Sequence, residues 1–584
     1  MERVRTNMFN RYFQQEMSQL KELGAAFSKA YPALAPMLSG PVADPDVERL
    51  LEGVSFQTAL LRQKLDDDFP EIVQDLIRII WPHYLRPIPS TSTVAFTPKP
   101  TLRQSATVPA GIPLASVPVE GTSCLFRTCY DVEMHPLSIV EAIFEQPSGQ
   151  PPQVRLVMEL NGLKLSDWRP QSLRFFLAGD YAGAADLYFL LMRHLKRIVL
   201  KPLGDGEAAS LPGECLKEAG FSGSSALIPY PSHAFPGYRI LQEYFFSPEK
   251  FLYVDLSGWE QWRGRGSGSK FEIRFELDSL PVRPPRVTKD HFVLFATPVI
   301  NIFPHEADPI ALDHHRPWYL VRPAGSNADH YQVYSEESVA GFIQGTAEER
   351  RYLPFEHFNP DFRSTPVYHT TYRQSPFKAG TDVFLSVAYP PEAGPPRPET
   401  LSIVLTCTNG TLPESLRIGD ICVATGASPE YATFRNIKPL APTVFPPLGS
   451  NFLWRLISHL SLNYLSLTGK ENFRALLDLY VFPESRDQSA ILANRKRISG
   501  IEHIQDRPSD RLVGGLPVRG REVTMKLRQD HYVSTGDMFL FGSVLDCFLG
   551  GYASVNSFTN LIIHEVMRGD THRWPARLGN HPLI

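Results

Sequence analysis

Apolar residues recur at helical spacing through roughly the first 90 positions. Phe13, Met17, Leu20, Gly24 and Phe27 fall three to four residues apart, the period at which an α-helix presents one face. Tyr31-Pro32 and Ala35-Pro36 end that run, because proline removes a donor and clashes with the preceding turn. A second helix is signalled by Asp44 as N-cap, Pro45 at the first helical position, and Asp46 and Glu48 in the first turn. These residues complement the free N–H groups of a helix start. Val47, Leu50, Leu51, Val54, Thr58, Leu61 and Leu65 form its stripe, about 30 Å long at ~1.5 Å per residue. A third helix begins near Pro70, carries Ile72, Val73, Leu76, Ile77 and Ile80, and stops before Pro82. Three such helices either close on one another or form half of a bundle that another chain completes.

After Pro87-Ile88-Pro89 the pattern shortens to alternation. Ser92 to Phe96, Ser105 to Pro109 and Phe271 to Leu277 predict strands, the last with one wet face. A helix interrupts near Ala184 to Leu195. Val383 to Val387 and Leu401 to Thr406 predict a strand pair, and the proline-rich tract from Pro390 to Pro398 a solvent-exposed loop between them. Helical spacing returns over Phe452 to Leu467, capped by Ser450 or Asn451, and over Glu471 to Tyr480. The C-terminal part reads as a strand (Val523, Met525, Leu527), an apolar helix from Gly542 to Tyr552, and a strand around Leu561. No repeat of solenoid period occurs. The fold class expected is therefore a multidomain α+β protein. It has a helical region at 1–90, a β-rich domain with an inserted helix at 91–285, a second β-rich domain at 286–440, and an α+β domain at 441–584.

Composition narrows this picture. The chain has 584 residues, with 52 Pro against 39 Gly. That excess of proline rules out a long coiled coil or helical rod. The net charge is −4, with no polybasic arm, so neither nucleic acid nor a membrane surface is an expected partner. The six cysteines include no CxxC, and a disulfide scaffold is not expected in so long a chain. The N-terminus lacks an apolar secretory signal, and the most apolar stretch, Phe292 to Phe303, contains Pro298 and is too short to span a bilayer. A soluble cytoplasmic protein is the expectation.

Motifs for chemistry are scarce. There is no P-loop, and Arg263 to Lys270 is a glycine cluster without a leading strand, read as a flexible polar loop. There is no GxSxG elbow. His564-Glu565 begins a zincin-like motif, but Arg568 stands where the second histidine is required. His305, Glu306, Asp308, Asp313, His314 and His315 are suitable ligands for a first-row metal, yet Pro304 and Pro309 deny them regular spacing. A surface loop is the plainer reading, and a metal-dependent hydrolase the alternative function. Asp66, Asp67 and Asp68 precede Pro70 and suit a helix N-terminus. Arg495-Lys496-Arg497 reads as a solvated basic face. Aromatic segments such as Phe235-Pro236-Gly237-Tyr238, Tyr244-Phe245-Phe246 and Tyr352 to Phe355 serve cores first and interfaces second. A carbohydrate-binding β-protein rests on them alone.

Several ordered blocks carry a resemblance. Tyr12 to Met17, Leu20 to Phe27, Asp44 to Gly53, Lys64 to Glu71 and Pro82 to Ser90 come first. Phe126 to Val132, Leu173 to Leu177, Phe235 to Phe245, Pro298 to Phe303, Trp454 to Asn463 and Tyr552 to Phe558 follow. Together they resemble the TssF family (also called ImpG or VasA) nearly from end to end. Trp81 is a small departure, an aromatic of another type being usual there. The resemblance implies a structural subunit of the type VI secretion baseplate, similar to a contractile-phage baseplate wedge protein. It implies self-association around one TssG, connections to TssK, TssE and the VgrG hub, and assembly at the inner face of the cytoplasmic membrane through other proteins. No cofactor, metal or catalytic residue belongs to the family pattern. Within that frame, Phe13, Met17, Leu20, Val47, Leu50, Val54, Leu61 and Leu65 are the expected partner-binding residues, facing a bundle shared with TssG. An intramolecular core is the competing reading for each.

Overall fold

The structure is a computed structural model. It describes residues 81–230, 235–278, 284–325, 327–343, 345, 349–355, 365–375, 379–390, 398–448, 469–482, 486–513 and 516–579, with positions 13, 14, 17, 20, 23, 49, 50, 52–59 and 74–78 before them. The expected helix at Phe452 to Leu467, the acidic triplet Asp66 to Asp68 and most of the proline tract after Pro390 lie outside the described residues.

Chain segments far apart in sequence build the first sheet. Its order is Ala432–Asn436, Thr91–Pro98, Ala296–Ile300, Thr122–Thr128, Pro113–Val119. Thr91–Pro98 pairs antiparallel with Ala296–Ile300 on one side and Ala432–Asn436 on the other. Val94 and Phe96 point inward from it, and the Phe96 ring meets Phe434 at 5.8 Å. This sheet draws strands from both sides of the 285/286 line expected between the β-rich domains.

Two further sheets pack beside it. One runs Ala209–Pro212, Leu195–Pro202, Lys270–Leu277, Gln153–Leu160, Leu137–Glu145. The other runs Leu216–Ala219, Tyr253–Leu256, Leu173–Leu177, Phe292–Leu294. Helix α1 (Tyr181–Arg193) is the expected inserted helix, started by Asp180, whose carboxylate accepts from the Gly183 N–H at 3.0 Å. The glycine cluster near 265 departs from expectation. Arg265 is buried and donates to the carbonyls of Trp262 (2.8 Å), Trp259 (2.6 Å) and Trp168. The segment is pinned because a buried guanidinium must satisfy its donors. Its pKa is held below the usual arginine range by burial.

The second β-rich region is a sheet that closes on itself. Its order is Phe303–Glu306, Glu399–Thr408, Gln332–Ile343, Glu349–Pro354, Val367–Gln374, Thr381–Ala388, Tyr319–Val321, with Ile310–Leu312 also on Glu399–Thr408. The last strand returns to the first through the Ala307–Pro323 bridge and hydrogen bonds from Asp308 N to Arg322 O and Ala324 N to Glu306 O, both 2.8 Å. The strands at 383–387 and 401–406 exist as expected but are not a pair. Thr381–Ala388 joins Val367–Gln374, while Glu399–Thr408 joins Gln332–Ile343. Alternation specifies a strand's faces, not its neighbour.

The C-terminal region is built around α5 (Thr535–Gly550). Before it come α2 (Pro236–Phe246), α3 (Lys470–Asp478) and α4 (Gln488–Ser499). A long hairpin, Ile501–Val513 with Leu516–Leu527, leads into α5, which crosses to Ser557–Glu565 lying parallel to Leu516–Leu527. That is a βαβ connection, the only short route between parallel strands. The apolar helix starts seven residues before the expected Gly542, at the Ser534 cap, whose hydroxyl accepts from Asp537 N at 3.2 Å. Gly536 lies against the Ala185 carbonyl of α1, close enough that a Cβ would overlap it.

Candidate partner-binding surfaces

The expected partner-binding residues divide into three groups. Phe13, Met17 and Leu20 are helical and half-buried. Met17 meets the second helical stretch, where the Ser55 hydroxyl lies 3.7 Å from its Sδ. Leu50 and Val54 are 71% and 49% exposed. Val47, Leu61 and Leu65 lie outside the described residues. On residues 52–59 the inward positions are Ser55 and Ala59, one helical turn apart, while Val54 and Phe56 are turned outward. The small face is thus used inside the chain, and the larger apolar side chains remain on the surface.

Residues 74–78 tie this helical region to the barrel. The Gln74 amide donates to Tyr372 O at 3.1 Å and accepts from Tyr372 N at 3.4 Å, a side chain imitating a neighbouring strand. Arg78 donates to Thr370 O and lies over the Tyr372 ring. Asp75 meets His369 Nε2 at 2.6 Å. Strand Val367–Gln374 contacts Glu349–Pro354 only at its first two residues, so these bonds cover main-chain groups left open at its edge.

The groups with chemical reach are committed to structure. Asp537, fully buried, accepts from Tyr181 (2.8 Å), Arg497 Nε (3.0 Å) and Val533 N (3.2 Å). Arg497 therefore departs from the solvated face expected for 495–497. Arg495 and Lys496 are exposed, but one turn phase places Arg497 inward. Glu243 accepts from Lys250 and from Leu227 N at 2.7 Å, in complete burial. Burial pushes the Cys124 and Cys129 thiols up to about 12, so neither offers a thiolate near neutral pH.

The histidine–acid cluster at 305–315 is dispersed. His305 stacks on Tyr331 at 4.6 Å and bonds Ala324 O, while Asp313 accepts from the Tyr319 hydroxyl at 2.6 Å. Among the described residues no group of three or more His, Cys, Asp or Glu side chains could hold a metal ion. The metal-hydrolase alternative has no support. Glu565 sits at the end of a strand, as expected, and caps the following turn through Met567 N at 2.8 Å. The Gln74–Tyr372 clasp was not foreseen, since no local pattern marks a glutamine that pairs with a strand almost 300 residues away.

Buried charges paired within the chain and apolar side chains turned outward at Leu50 and Val54 suit a protein that works through its surfaces. Comparison with known proteins identifies the assembly. The family model for "Type VI secretion system, TssF" matches residues 5–581. The chain is 30% identical to type VI secretion system component TssF1 of Pseudomonas aeruginosa over 628 aligned positions, covering 98% of this chain and 99% of that one. A chain in the cryo-electron-microscopy structure of the type VI secretion TssK-TssF-TssG baseplate subcomplex superposes with a TM-score of 0.78 at 30% identity, over 92% of this chain and 99% of that chain. A chain of the type VI baseplate complex gives 0.59 at 27% identity, over 98% and 100%. The chain belongs to the TssF family. It is a structural baseplate component of the type VI secretion system. No helix among the described residues is long and apolar enough to cross a membrane.

Proposed function

We propose that this chain is the TssF subunit of a baseplate wedge, binding TssG through its N-terminal helical region and TssK within the same assembly. The observation that carries this is the near-complete mutual coverage with the chain of the TssK-TssF-TssG subcomplex. The outward Leu50 and Val54 support the choice of surface, because a large apolar side chain on an otherwise folded helix gains most when a partner buries it. Phe13, Met17, Leu20, Val47, Leu61 and Leu65 are the further residues of the N-terminal region that this reading assigns to partner binding. Residues 1–90 act as the arm that engages TssG, the interleaved sheets of 91–440 as the β-rich body, and 441–584 as an α+β base. A second copy around one TssG, the sheath-linked TssE and the VgrG hub are the further neighbours. The subunit works without catalysis, transmitting shape at the inner face of the cytoplasmic membrane, which it reaches through other proteins.

The test is co-expression with TssG and TssK, comparing the unaltered chain with Leu50→Asp and Leu61→Asp. Loss of TssG from the purified complex, with thermal unfolding of the isolated chain unchanged, is the expected result. Full recovery of TssG by a well-folded double variant would remove the N-terminal face from the reading.

A further inference from the structure

The line along which the barrel closes carries a feature that its closure does not require. Beside Tyr319–Val321 lies a cavity of about 500 Å³ whose lining includes Asp308, Pro309, Arg316, Trp318, Arg322 and Phe384. Trp318 is 45% exposed. The Arg373 guanidinium lies 4.4 Å from the centre of the Trp318 ring and 5.1 Å from that of Phe384, so the aromatic floor is held by cation–π contact. Arg316 and Arg322 are exposed; the Arg316 charge acts on the nearby Asp313 carboxylate without a salt-bridge contact among the described residues. Asp308 is the one carboxylate among the lining residues. A positive pocket with an aromatic floor therefore stands on a chain whose net charge is negative.

That combination restricts what can occupy it. The main chain at 306–308 and 322–324 is already paired across the seam, so an occupant lying on that stretch must be read by side chains. Arginine and tryptophan are the residues that most often carry the energy of protein interfaces. Two forked guanidiniums match carboxylates in particular. Nucleic acid would need an extended positive track, whereas this positive charge is confined to one pocket with Pro309, Ile310 and Trp318 beside it.

We propose that the barrel seam is a docking site for an acidic segment of a co-assembled baseplate subunit. Its carboxylates would pair with Arg316 and Arg322, and an apolar side chain beside them would cover Trp318. This rests on the assembly reading above.

The test uses the full chain co-purified with TssG and TssK. Arg316→Lys and Arg322→Lys place an amine where each guanidinium stood, and a carbodiimide then joins that amine to any carboxylate in contact. Cross-links from either position to Asp or Glu of a partner subunit, absent in Arg316→Gln and Arg322→Gln, are expected. Arg316→Glu with Arg322→Glu should weaken partner retention at least tenfold at low salt, and Trp318→Ala by a smaller factor. An intact complex without those cross-links would overturn the site, as would cross-links only to a second copy of this chain. Failure of the unaltered chain to retain TssG and TssK would instead overturn the assembly reading, and the site with it.

Discussion

Two apolar helices of this chain meet opposite fates. Helix α5 is buried along almost its whole length, and its two acids are matched from within the same chain. Asp537 takes Arg497, and Asp546 takes Arg577. Among the described residues of 49–59, only Ser55 and Ala59 are buried, and Leu50 and Val54 lie in solvent. α5 is apolar on nearly all sides and is consumed by folding, whereas 49–59 carries charged and polar positions among its apolar ones and keeps Leu50, Val54 and Phe56 outside. The lesson is that an apolar stripe reports a need for burial, and the packing around it decides whether the same chain meets that need.

The largest effect that sharpens this contrast is on Asp537. Asp537→Ala strands a buried Arg497, whose pKa burial lowers and whose neighbours, the Asp537 carboxylate among them, raise above the usual arginine range on balance. Removing one partner of a buried pair costs about 3–5 kcal/mol, so chemical denaturation should show a loss of that order.

Acidification comes next. Burial lowers the His83 pKa to about 3 and the His572 pKa to about 4. Both are depressed below the unfolded value of 6.5. The unfolded chain then binds the extra protons, so the stability is present above pH ~6.5 and is lost as pH falls toward the folded pKa values. At pH 5 each histidine costs about 2 kcal/mol, from ~1.5 units at ~1.36 kcal/mol each. His83→Phe and His572→Phe should flatten the fall in melting temperature between pH 7 and 5. An unchanged slope would contradict their neutral burial.

Gly536→Ala pushes a methyl into the Ala185 carbonyl where α1 crosses α5. Overpacking of this kind costs about 1–3 kcal/mol, read as a lower melting temperature. Gln74→Ala removes both bonds to Tyr372 and should cost about 1 kcal/mol. Faster amide exchange at Tyr372 is the sharper readout, because that N–H then lacks its partner. Leu50→Asp should move stability by less than about 0.5 kcal/mol, as surface changes do. A destabilisation as large as that of Gly536→Ala would break the contrast, since it would mean that Leu50 is packed inside the chain.

The sequence was informative wherever a local period carried the signal. The alternation of Phe271 to Leu277 became strand Lys270–Leu277, and the leucines at 187, 190 and 191 became the buried side of α1. The ordered blocks from Tyr12 to Phe558 led to the family. Local pattern was weaker on position and partner. The apolar run at 542 hid a helix start at Thr535, because Thr535, Gly536 and Asp537 look like loop residues until the Ser534 cap is considered. The basic run at 495–497 gave no hint that its third member turns inward. Of the candidate surface, Leu50 and Val54 could be read as a stripe, whereas the clasp of Gln74 and the aromatic floor at Trp318 could not.

The sequence by itself determined which segments are helix or strand, which faces are apolar, and to which family the chain belongs. These depend on periods of two or about 3.6 residues and on ordered motifs, all contained within short windows. Tertiary structure alone decided that Thr91–Pro98 lies between Ala296–Ile300 and Ala432–Asn436, that Arg497 faces Asp537, and that Trp318 stays exposed beside Arg373. Such choices depend on which surfaces meet after the chain has folded back over hundreds of residues. Many pairings satisfy each strand's own pattern, and only packing and the pairing of buried charge select one.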